Sequence, residues 1–124
     1  MRSFREGFDL MEATTDLDAI HNAIPDHHTL EHVSEIFSML GDPGRLRILC
    51  ALSQSALKVR DIAAVTHQSQ SLVSHSLRLL RTQNVVSASK QGREVIYSLQ
   101  DQHVRSILAL TLTHVEQDID HLAG

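Results

Sequence analysis

The middle of the chain constrains the fold more than any other part of the sequence. Two amphipathic helices are predicted there, at residues 59–65 and 69–82, with a polar turn between them. Two β-rich runs follow, at residues 85–89 and 94–99, and Gly92 supplies the turn that joins them. Because a hairpin of two strands is marginal in water, it must pack against the helices. The sequence therefore predicts a helix-turn-helix followed by a hairpin.

Further helices are predicted on both sides of this segment, because apolar residues recur there at spacings of three and four. They cover residues 9–24, 28–40 and 102–122, and Asp42 followed by Pro43 predicts the start of another helix. The apolar stripe of the last helix has too few partners in a chain this small. A second copy of the same helix is the expected cover. The stripe consists of Val104, Leu108, Thr111, Val115, Ile119 and Leu122.

Composition favours one soluble domain and excludes several classes of protein. The chain has 124 residues, of which 42% are hydrophobic and 21% charged, as in globular proteins. No apolar run approaches the roughly 18 residues that a membrane helix needs, so we expect a cytoplasmic protein with no membrane partner. A lone cysteine, Cys50, cannot form an internal disulfide. The aromatic content of 3% argues against base-stacking recognition of single strands.

The charge is concentrated unevenly along the sequence. Residues 1–42 carry two basic and nine acidic side chains, residues 43–95 carry eight and two, and residues 96–124 carry one and four. A local basic segment attracts a polyanion even when the net charge is −4, because nearby charges set the field. The charge pattern therefore indicates nucleic acid as a partner of the middle segment.

The second helix of the helix-turn-helix has two distinct faces. Val73, Leu77 and Leu80 are expected to face inwards, with Leu72 and Leu79 flanking them. The outward face carries short polar and basic side chains, which suit the edges of bases in a major groove. At the hairpin tip, basic side chains are expected to reach a phosphate or the minor groove. The predicted contacts are Ser71, Ser74, His75 and Arg78 on the helix, with Lys90 and Arg93 on the hairpin.

Three segments carry a resemblance to a known family. Residues 40–49, 70–80 and 91–97 resemble the winged helix-turn-helix of the ArsR/SmtB family of metal-responsive repressors. The resemblance implies a mainly α fold with a small β-hairpin, a homodimer, and repression of an operon in the metal-free state. It also implies that four residues of the second helix contact double-stranded operator DNA. These are Gln70, Ser71, Ser74 and His75. Residues 1–27 are then an N-terminal helix or arm, and residues 28–124 form the DNA-binding and dimerisation domain.

The last helix carries candidate metal ligands. Asp101 and His103 lie at its start, and His114 follows eleven residues later, about 16 Å along the axis and only about 20° around it. Zinc–ligand bonds are about 2 Å long, so one ion reaches both ends only if a second chain brings its own copy alongside. An antiparallel helix pair would make two equivalent sites per dimer. The same three residues resemble the last-helix site of the SmtB branch.

The fourth ligand departs from the family pattern. The family places His or Glu three residues after the second histidine, where this chain has Gln117, a poor zinc ligand. Asp118 is our first choice and His121 the second, because both lie within about 40° of His114 around the helix. A water-completed site with three ligands is also open, as is a higher-coordinate site that recruits N-terminal histidines. Zn(II) is the expected ion, with Co(II) or Ni(II) as alternatives. The N-terminal histidines of the higher-coordinate alternative are His21, His27, His28 and His32.

The sequence leaves one rival function open. No His-Glu-x-x-His helix or other catalytic metal signature is present, so neither an enzyme nor a small-molecule substrate is expected. The expected function is a metal-sensing repressor that releases its operator when metal binds between the last helices. The alternative is a winged-helix regulator of the same fold that responds to a signal other than a metal.

Overall fold

A computed structural model describes the backbone of residues 15–123 and the side chains of residues 15–119. Six helices and three strands lie in the described range. The helices are α1 (Leu17–Ala23), α2 (His27–Leu40), α3 (Pro43–Gln54), α4 (Val59–Thr66), α5 (Gln70–Thr82) and α6 (Gln102–Ala123). The strands are β1 (Leu57–Lys58), β2 (Val86–Gln91) and β3 (Glu94–Leu99). The predicted order of helix, turn, helix and hairpin is confirmed. The first part of the helix predicted over 9–24 lies outside the described residues.

The chain divides into two compact units, and the boundary between them lies after Ser34. The described part of the first unit contains α1 and the beginning of α2, and its side chains are all exposed. Asp16 caps α1 by accepting a hydrogen bond from the Ala19 N–H. At the start of α2, hydrogen bonds from Thr29 hold the pKa of the Asp26 carboxyl below its ordinary value. Local caps therefore define where these two helices begin.

The core of the second unit lies between α3, α4, α5 and the sheet. Val73, Leu77 and Leu80 of α5 are fully buried there, as predicted. Leu72, predicted to flank the inward face, is instead 51% exposed, and Ser76 takes an inward position beside Leu77. The other buried apolar residues are Ile48, Leu49, Leu52, Ile62, Ala63, Val85, Val86, Leu99 and Leu108. This packing fixes which side of α5 faces outwards.

The sheet has three strands in the order β1-β3-β2, one more than the sequence predicted. Leu57 pairs with Tyr97 and Lys58 with Ile96, both antiparallel. The hairpin turn is also tighter than predicted, because Gln91 pairs with Glu94 and only two residues remain between the strands. Gly92 there has φ +65°, which favours glycine. The sheet therefore joins the hairpin to the segment that opens the helix-turn-helix.

Helix α6 packs on the core only near its start. Val104 is half-buried and Leu108 is buried, and both contact the core cluster. Farther along, Val115 is 46% exposed and Ile119 is 58% exposed. None of the helices in residues 15–123 combines the length and apolar character needed to cross a bilayer. The second half of α6 thus presents an apolar stripe that its own unit does not cover.

Replacing Asp42 by alanine should lower the free energy of unfolding by about 1 kcal/mol. Asp42 caps α3, because its side chain accepts a hydrogen bond from the Arg45 N–H at 2.9 Å. Chemical denaturation followed by circular dichroism measures the change. Asp42→Asn keeps an acceptor oxygen and should retain most of the stability. Equal stability of the alanine variant and the wild type would contradict this assignment.

Replacing Val115 by glutamate should shift the chain from dimer to monomer in analytical ultracentrifugation. The substitution places a charge in the exposed stripe of α6, where an apolar partner surface is expected. Thr113→Glu is the matched control, since residue 113 lies about 160° around the helix from residue 115. If both variants sediment like the wild type, the stripe is not the dimer interface.

Candidate nucleic-acid interface and metal centre

The outward face of α5 carries the side chains predicted to read DNA. Gln70, Ser71, His75 and Arg78 are exposed, and Ser74 is half-buried between them. The helix begins in a fixed register, because Oγ of Ser69, its N-cap residue, accepts a hydrogen bond from the N–H of Leu72 at 3.1 Å. Hydroxyl, amide, imidazole and guanidinium groups together can donate and accept hydrogen bonds along base edges. The face therefore has the chemistry that direct readout requires.

The hairpin tip adds positive charge on a separate arm. Lys90 and Arg93 are both exposed, and neither forms an ion pair with another residue of the described chain. Lys58 is different, because its Nζ lies 3.1 Å from a carboxylate oxygen of Glu94. That ion pair offsets the charge of Lys58 and ties β1 to β3 at the hairpin. Unpaired charge consequently remains at the tip, where a phosphate could be met.

Two glutamines that no sequence pattern predicts form hydrogen bonds at the two ends of α5. The Nε2 of Gln68, in the turn before α5, donates a hydrogen bond to the carbonyl of Gly44 at 3.0 Å. At the other end, the Nε2 of Gln83 lies 3.4 Å from the carboxylate of Glu35. The amide oxygens of both glutamines are buried without a partner. Contacts of this kind join residues far apart in sequence, so helical periodicity carries no signal for them.

The candidate metal ligands lie in two exposed pairs on α6. Asp101 caps the helix, since its Oδ1 accepts hydrogen bonds from the N–H groups of His103 and Val104 at 2.9 and 3.2 Å. The same oxygen lies 3.6 Å from Nδ1 of His103. Farther along, Nε2 of His114 lies 3.5 Å from Oδ2 of Asp118. Each pair therefore places one imidazole beside one carboxylate.

The structure separates these two pairs within one chain. No group of three or more His, Cys, Asp or Glu side chains in the described range is arranged to hold a metal ion. Gln117 is exposed on the same helix, and the side chain of His121 lies outside the described part. His103 and His114 lie about 100–120° around the helix from Val115, at the edge of the apolar stripe. Donors at the edge of an uncovered face can be shared with a partner that covers it.

This combination of a helix-turn-helix, a β-hairpin arm and an exposed polar recognition face defines a winged-helix transcriptional regulator. Residues 42–88 match the family model described as bacterial regulatory protein, arsR family. The chain belongs to the ArsR/SmtB family of transcriptional regulators, as the sequence resemblance predicted.

Three similar proteins bear on this assignment. The transcriptional repressor SmtB homolog of Synechocystis is 42% identical over 87 residues, which cover 70% of this chain and 66% of that protein. The cadmium resistance transcriptional regulatory protein CadC homolog of Staphylococcus aureus is 35% identical over 83 residues, covering 66% and 69%. The homodimeric winged helix-turn-helix domain Mb0332 of Mycobacterium bovis superposes with a TM-score of 0.73 at 25% identity, covering 80% and 94%. The relatives are regulators, and the solved structure shares the fold.

Two alanine variants should separate base readout from phosphate contact. If Arg78 contacts a base, Arg78→Ala should weaken binding to the specific operator by about 1–3 kcal/mol. Its affinity for a duplex of random sequence should change little. Lys90→Ala should weaken binding to both duplexes equally, as expected for a phosphate contact. It should also lower the slope of log affinity against log salt concentration by about one. Fluorescence anisotropy at several salt concentrations measures both. Wild-type affinity and salt slope in both variants would contradict the assigned interface.

Proposed function

We propose that this chain is a homodimeric metal-sensing repressor that binds operator DNA without metal and releases it when Zn(II) binds between the last helices. Co(II) or Ni(II) are the alternative ions. The observation that carries the proposal is the pair of His–carboxylate clusters on α6, Asp101/His103 and His114/Asp118. They lie about 16 Å apart along one helix, beside an apolar stripe that the chain itself leaves exposed.

The donor set fits a divalent ion of this kind. Imidazole nitrogen and carboxylate oxygen suit Zn(II), Co(II) and Ni(II), and they disfavour ions that require several thiolates. In an antiparallel pair of α6 helices, Asp101 and His103 of one protomer would hold the ion together with His114 of the partner subunit and Asp118 of the partner subunit. When bound, the ion supplies a cross-link between the two chains. Two-fold symmetry would repeat the site.

Asp118 is the preferred fourth ligand. It is already beside His114, with 3.5 Å between Nε2 and Oδ2, so little reorganisation is needed to present both groups to one ion. A neutral amide at Gln117 would be a weaker ligand for zinc than a carboxylate. His121 stays an alternative. The two possibilities differ in the loss of affinity expected for Asp118→Asn.

Release of DNA follows from coupling between the dimer interface and the spacing of the two α5 helices. A winged-helix dimer reads two half-sites, so its two recognition helices must match the groove spacing. An ion that favours a different arrangement of the α6 helices moves the α5 helices away from that spacing. Such couplings are typically about 1–3 kcal/mol, and DNA must weaken metal binding by the same factor.

The proposal is tested by titrating the dimer, bound to a fluorescent duplex of its own promoter, with zinc, cobalt and nickel chlorides separately. Zinc should release the duplex, and cobalt should develop the intense visible bands of a tetrahedral site. His103→Ala and His114→Ala should each bind the metal-free operator normally and lose the response. Glu116→Gln is the matched control, because residue 116 lies about 160° from His114 around α6.

Two outcomes would overturn the proposal. If the duplex stays bound with all three ions, the chain is not a sensor of these metals. If both histidine variants fail to dimerise in ultracentrifugation, the histidines are structural parts of the interface. Weak cobalt bands with nickel as the best inducer would change the proposed coordination to a higher number.

A groove in the second unit favours one alternative function. Its volume is about 830 Å³, and it lies between α3, β1 and α4. Apolar side chains such as Leu46, Leu57 and Val65 line it, with Arg47 as the one charged group among the lining residues. A winged-helix regulator that responds to an apolar anion instead of a metal would bind that anion in this groove. Release of the duplex by such a ligand, with no response to metals, would establish that function.

A further inference from the structure

The described part of the first unit is rich in histidine and strongly acidic. Residues 15–34 contain four of the nine histidines and four carboxylate side chains, with no lysine or arginine. All of these side chains are exposed. Fixed negative charge with no cationic competitor raises the local concentration of cations. The charge of residues 15–34 therefore favours a cation near these imidazoles.

Two of the four histidines share one face of α2. His28 and His32 are four residues apart in a continuous helix, so their Cβ atoms are about 5–6 Å from each other. This spacing lets two imidazoles bind one ion, as in metal sites that take both histidines from a single helix. The neighbouring pair differs, because His27 lies 3.9 Å from the Glu31 carboxylate across one turn.

The start of α2 is fixed by a cap, so the backbone positions of His28 and His32 are held in one helical register. Oδ1 of Asp26 accepts a hydrogen bond from the Thr29 N–H at 2.8 Å, and the Asp26 carbonyl accepts one from the Leu30 N–H at 3.0 Å. Both imidazoles project from the turns that this cap stabilises. Within the described chain, neither imidazole has an ion-pair partner. Metal binding therefore requires no existing salt bridge to break.

We infer that His28 and His32 form a second metal site, a two-imidazole chelate for a divalent first-row ion, separate from the α6 site. Water completes the coordination, since the described range holds no group of three donors. Affinity should follow the usual order for nitrogen ligands, with Ni(II) above Co(II). Because it draws on one helix of one chain, this site does not need the dimer.

The experiment is a calorimetric titration of the His103→Ala/His114→Ala chain with nickel chloride. Both histidines of the proposed α6 site, His103 and His114, are replaced in this background, so the result does not depend on the proposed function. One ion per protomer should bind, and adding His28→Ala or His32→Ala should weaken binding by at least about tenfold. His27→Ala should bind nickel like the background. Circular dichroism verifies that each variant keeps its helices.

A spacing variant gives the sharpest control. His32→Ala combined with Ser34→His keeps the number of histidines and moves the second imidazole to the opposite side of α2, about 200° further around. We expect the same tenfold loss in this variant. Equal nickel affinity in the spacing variant and the background would overturn the inference, because binding would then follow histidine content alone. Absence of nickel binding in the background itself would overturn it as well.

Discussion

The burial of Val73, Leu77 and Leu80 is the interaction on which the candidate DNA-binding surface depends. These three side chains of α5 are fully buried in the core of the second unit, so the helix cannot rotate without exposing them. Each would cost about 1.5–3 kcal/mol to return to water. A rotation of half a turn is therefore prohibitive. The opposite side of the helix, with its hydroxyl, amide and basic groups, is held towards solvent.

The small extent of the core also explains the form of α6. The core reaches only to Leu108, and the helix continues for another fifteen residues beyond it. Its exposed stripe and its two donor pairs lie side by side, so one partner could cover the first and complete the second. Dimerisation and metal binding are then two consequences of one surface. This arrangement would let an ion at the interface bias the geometry of the DNA-binding surface.

Much of the fold could be predicted from local pattern. The cap at Asp42 and the inward positions of Val73, Leu77 and Leu80 on α5 are set by residues within one or two turns, and both were predicted. Strand β1 was not predicted, because two residues are too few to show a periodic pattern. It forms through the pairing of Leu57 with Tyr97. Leu72 was misplaced because a helix flank is covered only if a neighbouring element reaches it.

The candidate site likewise has one part that local spacing predicts and another that depends on tertiary packing. Helical spacing was enough to place His103 and His114 on one side of α6, and to favour Asp118 over Gln117 as the neighbour of His114. The contacts made by Gln68 and Gln83 depend on tertiary packing and could not be predicted. A site completed by a second chain also depends on how two chains meet, which one sequence does not encode locally.

The central claim is that each metal ion is held by two chains, and a mixed dimer tests it most directly. One protomer carries His103→Ala and the other His114→Ala, isolated together through two different histidine-free tags. Neither homodimer should bind cobalt at α6, whereas the mixed dimer should regain one site, built from the intact Asp101/His103 of one chain and the intact His114/Asp118 of the other. The tetrahedral cobalt bands distinguish this site from any other bound cobalt. Absence of those bands in the mixed dimer would contradict a shared site.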